Sequence, residues 1–278
     1  MIRLGLVGFP LGHSLSPKIH AACLRACGLD GTYSLFPISA EGLQELKLLL
    51  DRVRNREITG LNVTIPHKLN VIPLLDELSS NAGAVGAVNT ICLKDEALTG
   101  HNTDVQGFLN DLKRIKGDGD AHEDHLKSAL VLGAGGSARA VVHALVMDGW
   151  QVTLAARSLE QAREVASRFE HVDAVELCPT LPLPQNFSLV VNTTPVGMKP
   201  AREDSPWPQG LPLPKALFYD LVYNPAETKF LRDARNAGLP AVAGMGMLIE
   251  QAALAFEIWT GRCPPRATLW KAVGRPVI

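Results

Sequence analysis

Apolar residues fall into two alternating rhythms along the chain: short continuous runs, and longer stretches repeating every three to four positions. Residues 2–8 read as a buried strand. Ser16-Pro17 then opens a helix, since a serine side chain can accept the free amides of a first turn and proline fits the first helical position. Gly28 ends that helix. Residues 32–37 are strand-like. Residues 40–53 are helical, with leucines at 43, 46, 49 and 50. Residues 58–64 form another strand, Pro66 starts a helix, and helical sequence continues to about residue 85 with an interruption near Pro73. Residues 88–93 and 97–100 predict a hairpin around Asp95-Glu96, and a helix follows from Thr103 or Asp104 to Lys116.

Residues 117–124 are polar without apolar periodicity and read as a surface connection. A second alternating series follows. Strands are expected at 128–132, 151–155, 174–177, 189–192 and 217–221, and helices at 136–148, 158–169 and 228–237. Proline-rich loops are expected at 179–184 and 200–214. An amphipathic helix over 247–260, ended by Gly261, comes last and is placed back with the first half. Strands alternating with helices indicate the α/β class, here as two units of similar size.

Composition narrows what such a chain can do. A length of 278 residues with 46% hydrophobic and 20% charged residues supports a sizeable core without disulfides or structural metal. A net charge of −1 and 5% aromatic residues argue against nucleic-acid binding. No apolar run is long enough to span a bilayer and no leader pattern precedes residue 2, so a cytoplasmic protein without membrane partners is expected. The five cysteines lack a Cys-x-x-Cys spacing; Cys23 and Cys27, one helical turn apart, read as small buried apolar residues rather than a metal site. The 24 glycines and 19 prolines form no repeat or low-complexity tract, so they serve particular turns.

One such turn is 129–139, ALVLGAGGSAR, with strand, glycine turn and helix start in the order a dinucleotide site requires. Gly133 permits the tight turn, Gly135 lets backbone approach a pyrophosphate, and Ala138 keeps helix close to strand. The helix amino end presents free amides to phosphate. The second strand ends at Ala155-Ala156-Arg157-Ser158, without the acidic residue that usually meets a ribose hydroxyl in NAD enzymes. Arg157 can instead pair with a 2′-phosphate, and its alternative is a solvated arginine at a helix start.

Four segments in the first half concentrate polar groups at strand ends and helix starts, where ligands bind in open α/β sheets: 12–17 (GHSLSP), 62–68 (NVTIPHK), 87–90 (AVNT) and 100–104 (GHNTD). Singly each has an ordinary reading: Ser14 and Ser16 as caps, Asn89 as a turn support, Asp104 as the cap of the next helix, Lys68 as a solvated lysine. Together their hydroxyls, amides, lysine and carboxylate suit a small polyhydroxylated acid.

Eight motifs in order resemble the shikimate dehydrogenase family: HSLSP (13–17), NVTIPHK (62–68), GAVNT (86–90), NTDVQGF (102–108), GAGGSARA (133–140), NTTPVGM (192–198), YDLVYNP (219–225) and GMLIEQA (246–252). The resemblance implies an N-terminal α/β substrate domain (1–103 with 245–278) and a Rossmann-type doubly wound dinucleotide-binding domain (104–244), with the active site in the cleft between them. It implies NADPH-linked, reversible reduction of 3-dehydroshikimate to shikimate without metal. Lys68 is then the acid/base and Asp104 its partner, and Ser14, Ser16, Thr64, Asn89, Tyr223 and Gln251 join them at the substrate. Gly133, Ala134, Gly135, Gly136 and Ser137 form the pyrophosphate loop. Arg157 and Ser158 meet the adenosine phosphate, and Asn192, Thr193, Leu221 and Gly244 line the nicotinamide side. His13 and His67 support loops, since the lysine already supplies the proton, and His101 lies in a motif without a chemical role.

Three departures from the family pattern bear on the cofactor. The usual Asn-Arg-Thr is Ala156-Arg157-Ser158, Gln161 replaces a second arginine although Arg163 is close, and Ser80 stands where some members carry an acidic cofactor contact. NADP is expected, with NAD possible. Retention of Ser14 and Ser16 favours shikimate over quinate. The alternatives are a broader quinate/shikimate dehydrogenase using NAD(P) and a non-catalytic ligand-sensing homologue. A monomer or a homodimer fits the chain equally.

Overall fold

The structure, a computed structural model, describes residues 1–117, 127–178, 186–198 and 203–274. The connection expected over 117–124 therefore lies outside the described residues beyond Gly117, as do the whole 179–184 loop and the first three residues of the 200–214 loop. The chain divides into two compact units, 1–107 with 248–278, and 108–247.

The first unit is built on a mixed six-stranded sheet. Its strands are β1 (Ile2–Gly8), β2 (Gly31–Pro37), β3 (Gly60–Val63), β4 (Glu77–Leu78), β5 (Thr90–Lys94) and β6 (Ala97–His101), in the order β2-β1-β3-β5-β6-β4. β1 runs parallel to both β2 and β3, whereas β5 is antiparallel to β3 and β6. The hairpin turns through Asp95 and Glu96, both at positive φ. Around the sheet lie helices α1 (Ser16–Ala26), α2 (Leu43–Arg54), α3 (His67–Asn70) and α4 (Ser80–Val85). α2 buries Leu46, Leu49, Leu50 and Val53 against Val7, Leu61, Val63 and Ile91, which is the i, i+3, i+4, i+7 stripe that drives a helix onto a sheet.

Several expectations are corrected. The α2 helix begins at Leu43 rather than residue 40, and Leu43 itself is exposed. Ser16 does not cap α1: the cap position is Leu15, with no side-chain bond, and the Ser14 hydroxyl accepts the Ser16 amide instead (3.2 Å). The helical stretch expected to residue 85 is broken into α3, a 3₁₀ turn (Ile72–Leu74), the two-residue β4 and α4. Of the cysteine pair, Cys23 is buried and Cys27 only partly so.

The second unit carries an all-parallel sheet of β7 (Ser128–Leu132), β8 (Gln151–Ala156), β9 (Val172–Glu176), β10 (Leu189–Asn192), β11 (Leu217–Asp220) and β12 (Ala241–Ala243), ordered β9-β8-β7-β10-β11-β12. This is the doubly wound 3-2-1-4-5-6 order, whose reversal lies between β7 and β10. Near-continuous burial of β7 and β10 follows from helices covering both faces of such a sheet. Its helices include α6 (Gly136–Met147), α7 (Leu159–Ala166) and α8 (Lys229–Asn236). Ser158 and Thr228 cap α7 and α8 through their hydroxyls. The division between units falls inside α5 (Asp104–Lys116) and in the first turn of α9 (Met245–Thr260), the helix that returns the chain to the first unit. β12 and a last helix α10 (Arg266–Ala272) were not expected from the sequence. Among the described residues no helix is long and apolar enough to cross a membrane, and no group of three His, Cys, Asp or Glu is placed to hold a metal.

Candidate active site

Asn102 decides how the chain enters α5. Its Oδ1 accepts the amides of Asp104 (3.1 Å) and Val105 (3.4 Å), and its Nδ2 donates to the Ala87 carbonyl (2.9 Å). Capping is thereby done by Asn102, and the Asp104 carboxylate is released for other partners. Asp104 Oδ2 accepts from Lys68 Nζ at 2.6 Å, and Oδ1 accepts from Asn89 Nδ2 at 2.9 Å. The side chains of Lys68 and Asp104 are only 11% and 6% exposed. Burying such a pair costs several kcal/mol of desolvation per ion, which the Coulomb attraction at best repays. An arrangement of this kind is weak evidence for stability.

Backbone bonds fix Lys68 and Asn89. The Lys68 carbonyl accepts the Val88 amide (2.8 Å), the Asn89 amide donates to the His101 carbonyl (3.0 Å), and the Asn89 carbonyl accepts the Val63 amide (2.8 Å). Gln251, on α9, presents Oε1 at 3.5 Å from Asn89 Nδ2 and donates its own amide to the Leu248 carbonyl (2.7 Å). Thr64 is half-buried and sits directly before this group, its carbonyl accepting the His67 amide (2.9 Å). Ser14 and Ser16 form a linked pair at the start of α1, the Ser14 hydroxyl accepting the first amide of the helix. Seven sequence-predicted substrate residues thus belong to the first unit; Tyr223 belongs to the second.

The histidines do not compete with the lysine. His67 is buried with Nε2 2.8 Å from the Ile38 carbonyl, which fixes the proton on that nitrogen. His101 faces the Cys92 thiol (3.6 Å), and burial, aided by Lys94, holds its pKa below the usual range. His13 is exposed.

In the second unit, the loop from β7 to α6 forms an open cradle. Gly133 has φ +108°, and a Cβ there would lie 2.8 Å from Thr193 Oγ1 and 2.9 Å from Thr194 Cγ2. Only glycine fits both the dihedral and the space. Gly135, at the cap position of α6, has open space around it, and no side chain occupies the cap. The first turn of α6 begins at Gly136, directly after Ala134 and Gly135, so the helix amino end opens onto this loop. Arg157 is exposed at the end of β8, while Ser158 is committed to the α7 cap (Gln161 amide, 3.3 Å). These groups fit a dinucleotide with its pyrophosphate on the α6 amino end.

Across the sheet reversal, Thr193 Oγ1 donates to the Leu132 carbonyl (2.6 Å) and Leu221 donates its amide to the Asn192 carbonyl (2.9 Å). Gly244 lies so close to Leu221 that a Cβ would stand 2.6 Å from its carbonyl oxygen. Asn192 is fully buried: Oδ1 accepts from the Thr194 amide and hydroxyl, and Nδ2 donates to Asp220 Oδ1 (2.8 Å). Its side chain therefore holds the Thr193–Val196 loop rather than pointing outward. Asp220 also accepts from the Val222 amide (3.0 Å) and the Thr228 hydroxyl (2.6 Å), yet burial pushes its carboxyl up to about 6.

Residues 6–91 match the family model described as the shikimate dehydrogenase substrate binding domain, and residues 244–273 match the shikimate 5′-dehydrogenase C-terminal domain. The chain is 38% identical to the shikimate dehydrogenase (NADP(+)) of Shouchella clausii, covering 98% of this chain and 97% of that one. The chain belongs to the shikimate dehydrogenase family. Among solved structures, the family's shikimate 5-dehydrogenase of Thermus thermophilus, in complex with NADP(H) and shikimate, superposes with a TM-score of 0.86 at 38% identity, over 99% of both chains. The quinate dehydrogenase of Corynebacterium glutamicum in complex with NAD superposes with a TM-score of 0.85 at 35% identity, over 98% of both.

For a shikimate dehydrogenase family member, four residues around this site went unassigned from sequence. Asn62, Thr90 and Thr103 stand inside recognised motifs and are buried polar groups bonded to Asn89 or to its partners. Asp220 lies in the YDLVYNP motif but within a strand, where a carboxylate at a period-2 position reads as solvated. The available signal was the same in each case: a polar residue where the surrounding pattern requires burial.

Proposed function

We propose that this chain catalyses the reversible NADPH-linked reduction of 3-dehydroshikimate to shikimate, with residues 1–107 and 248–278 binding the substrate and residues 108–247 binding the cofactor. The observation that carries the assignment is the nearly buried Lys68–Asp104 pair with Asn89 attached to it. NADPH supplies the hydride when bound. Lys68 holds a proton at Nζ for the substrate oxygen that becomes the alcohol, and in the reverse direction the neutral amine accepts it. Asp104 orients Nζ through Oδ2, and its carboxylate is placed for a neighbouring substrate hydroxyl. Asn89 and Gln251 offer amide groups to the remaining hydroxyls, with Thr64 beside them. Ser14 and Ser16 present hydroxyls suited to the substrate carboxylate, and Tyr223 is a further substrate contact. Gly133 to Ser137 receive the pyrophosphate and Arg157 the 2′-phosphate, with Thr193, Leu221 and Gly244 forming the nicotinamide side.

A second reading, broader use of quinate and NAD, is favoured by the quinate dehydrogenase likeness and by Gln161 in place of a second arginine. A purely ligand-sensing role is disfavoured by the intact lysine–carboxylate pair. One assay separates these: absorbance of the reduced nicotinamide with shikimate and quinate, each against NADP and NAD. Shikimate with NADP should give the highest kcat/KM, and a clear preference for NAD or quinate would replace the proposal with the second reading. In the same assay Lys68→Ala should lose about 10²–10⁴ in kcat with little change in shikimate KM; turnover near wild type would remove Lys68 from the mechanism.

A further inference from the structure

The buried polar groups behind Asn89 form a chain whose hydrogen-bond direction is set at every link. The Asn89 carbonyl can only accept, so the Asn62 nitrogen 3.3 Å from it is Nδ2, which also donates to Thr90 Oγ1 (3.2 Å). The Asn62 oxygen then faces Tyr33, whose hydroxyl must donate to it (2.8 Å). Thr90, having accepted from Asn62, directs its proton to Asn89 Oδ1 (3.0 Å). The Thr103 amide independently fixes that atom as the oxygen, donating to it at 2.8 Å. Asn89 Nδ2 is consequently turned onto Asp104 Oδ1 (2.9 Å). Every donor from Tyr33 onward points the same way and the series ends on the carboxylate that Lys68 holds from its other side. Tyr33 is itself pinned by stacking on the buried His20 ring, with centroids 4.4 Å apart and planes within 3°.

From this geometry we infer that Thr90 is a positioning residue, with Asn62 and Tyr33 behind it: its hydroxyl, together with the Thr103 amide, holds Asn89 Oδ1, so that the Nδ2 edge stays turned to Asp104 and to the substrate. Thr90 has no access to substrate, being fully buried, and acts only through Asn89. Without the Thr90 hydroxyl, Asn89 Oδ1 keeps only its bonds from Thr103, and the amide that donates to the charged Asp104 is held less firmly in place. Valine has the shape of threonine without the hydroxyl, so Thr90→Val tests the bond with little change of packing, and Thr90→Ser keeps the hydroxyl.

The inference rests on the proposed substrate role of Asn89, and steady-state kinetics separate the two. If the wild-type chain shows no shikimate-dependent reduction of NADP, the functional reading itself fails. With an active wild type, Thr90→Val should raise shikimate KM about tenfold, the weight of one such bond. Its kcat should stay within about threefold, because the Lys68–Asp104 bond is untouched. The KM for NADP, bound by the other unit, should stay unchanged, and Thr90→Ser should restore shikimate KM to within about twofold. An unaltered shikimate KM in Thr90→Val overturns the inference. So does equal loss in Thr90→Ser, or a parallel rise in NADP KM, either of which marks a general structural defect. Should Thr90→Val not fold, Tyr33→Phe carries the test from the far end of the chain: a roughly threefold rise in shikimate KM supports the inference and no rise refutes it.

Discussion

Asp220 makes a prediction that the structure allows to be worked in sign and size. Its carboxyl is fully buried at the end of β11 and receives three hydrogen bonds, but loss of water outweighs them and raises its pKa from 3.8 to about 6. In the unfolded chain the group ionises at its ordinary value. Between pH 4 and 6 the folded protein therefore binds more protons than the unfolded one, and its stability falls as pH rises through that window. The favourable contribution is fully present below about pH 4 and is lost above about pH 6. Two pKa units correspond to about 3 kcal/mol. Asp220→Asn removes the titration while keeping the side-chain outline and the Oδ1 acceptor for Val222 and Asn192. His20 works in the opposite direction: burial lowers its pKa to about 3, so its contribution is present above about pH 6.5 and declines as pH falls. That contribution is common to both proteins and cancels in their difference. Urea unfolding followed by circular dichroism, from pH 4.5 to 7.5, should show Asp220→Asn gaining on the wild type by about 2 kcal/mol as pH rises. Parallel stability curves for the two proteins would refute the reasoning.

Gly133→Ala must place a methyl group 2.8 Å from Thr193 Oγ1 on a backbone at φ +108°; the turn should shift, NADP KM should rise at least about tenfold, and shikimate KM should hold, since strain of this kind costs roughly 1–3 kcal/mol. A normal NADP KM would show that the loop does not receive the pyrophosphate. Asn102→Ala removes the acceptor for two first-turn amides of α5 and the bond to Ala87. A lost cap of about 1 kcal/mol should lower Tm by roughly 2–4 °C. Because Asp104 is the residue capped, kcat should fall as well; an unchanged Tm and kcat would assign the capping elsewhere.

The strand–helix alternation placed nearly every element of the second unit within a few residues, because parallel strands buried on both faces read as unbroken apolar runs. What stayed illegible had little pattern to read. β4 is two exposed residues that owe their strand character to pairing with Thr99 and Gly100 on β6. The break after Asn70 and the start of α2 at Leu43 reflect tertiary fit rather than propensity. Ser16, preceding a proline, had the composition of a cap, but Ser14 took the adjacent amide.

The Lys68–Asp104 pair shows where sequence reasoning stops. Asn102, Thr103 and Asp104 are consecutive residues, each a good helix cap by type, and spacing cannot say which one caps and which is left over. The choice is made by Ala87, whose carbonyl takes the Asn102 side-chain nitrogen and so turns its oxygen onto the α5 amides. Thr103 is drawn to Asn89 through both its amide and its hydroxyl. Asp104 is then the one polar side chain of the three without a backbone task, and it meets a lysine 36 residues earlier in the chain, held at 2.6 Å. The carboxylate becomes available for proton chemistry because its neighbours satisfy the helix end in its place, and no local feature of Asp104 itself distinguishes it from a cap.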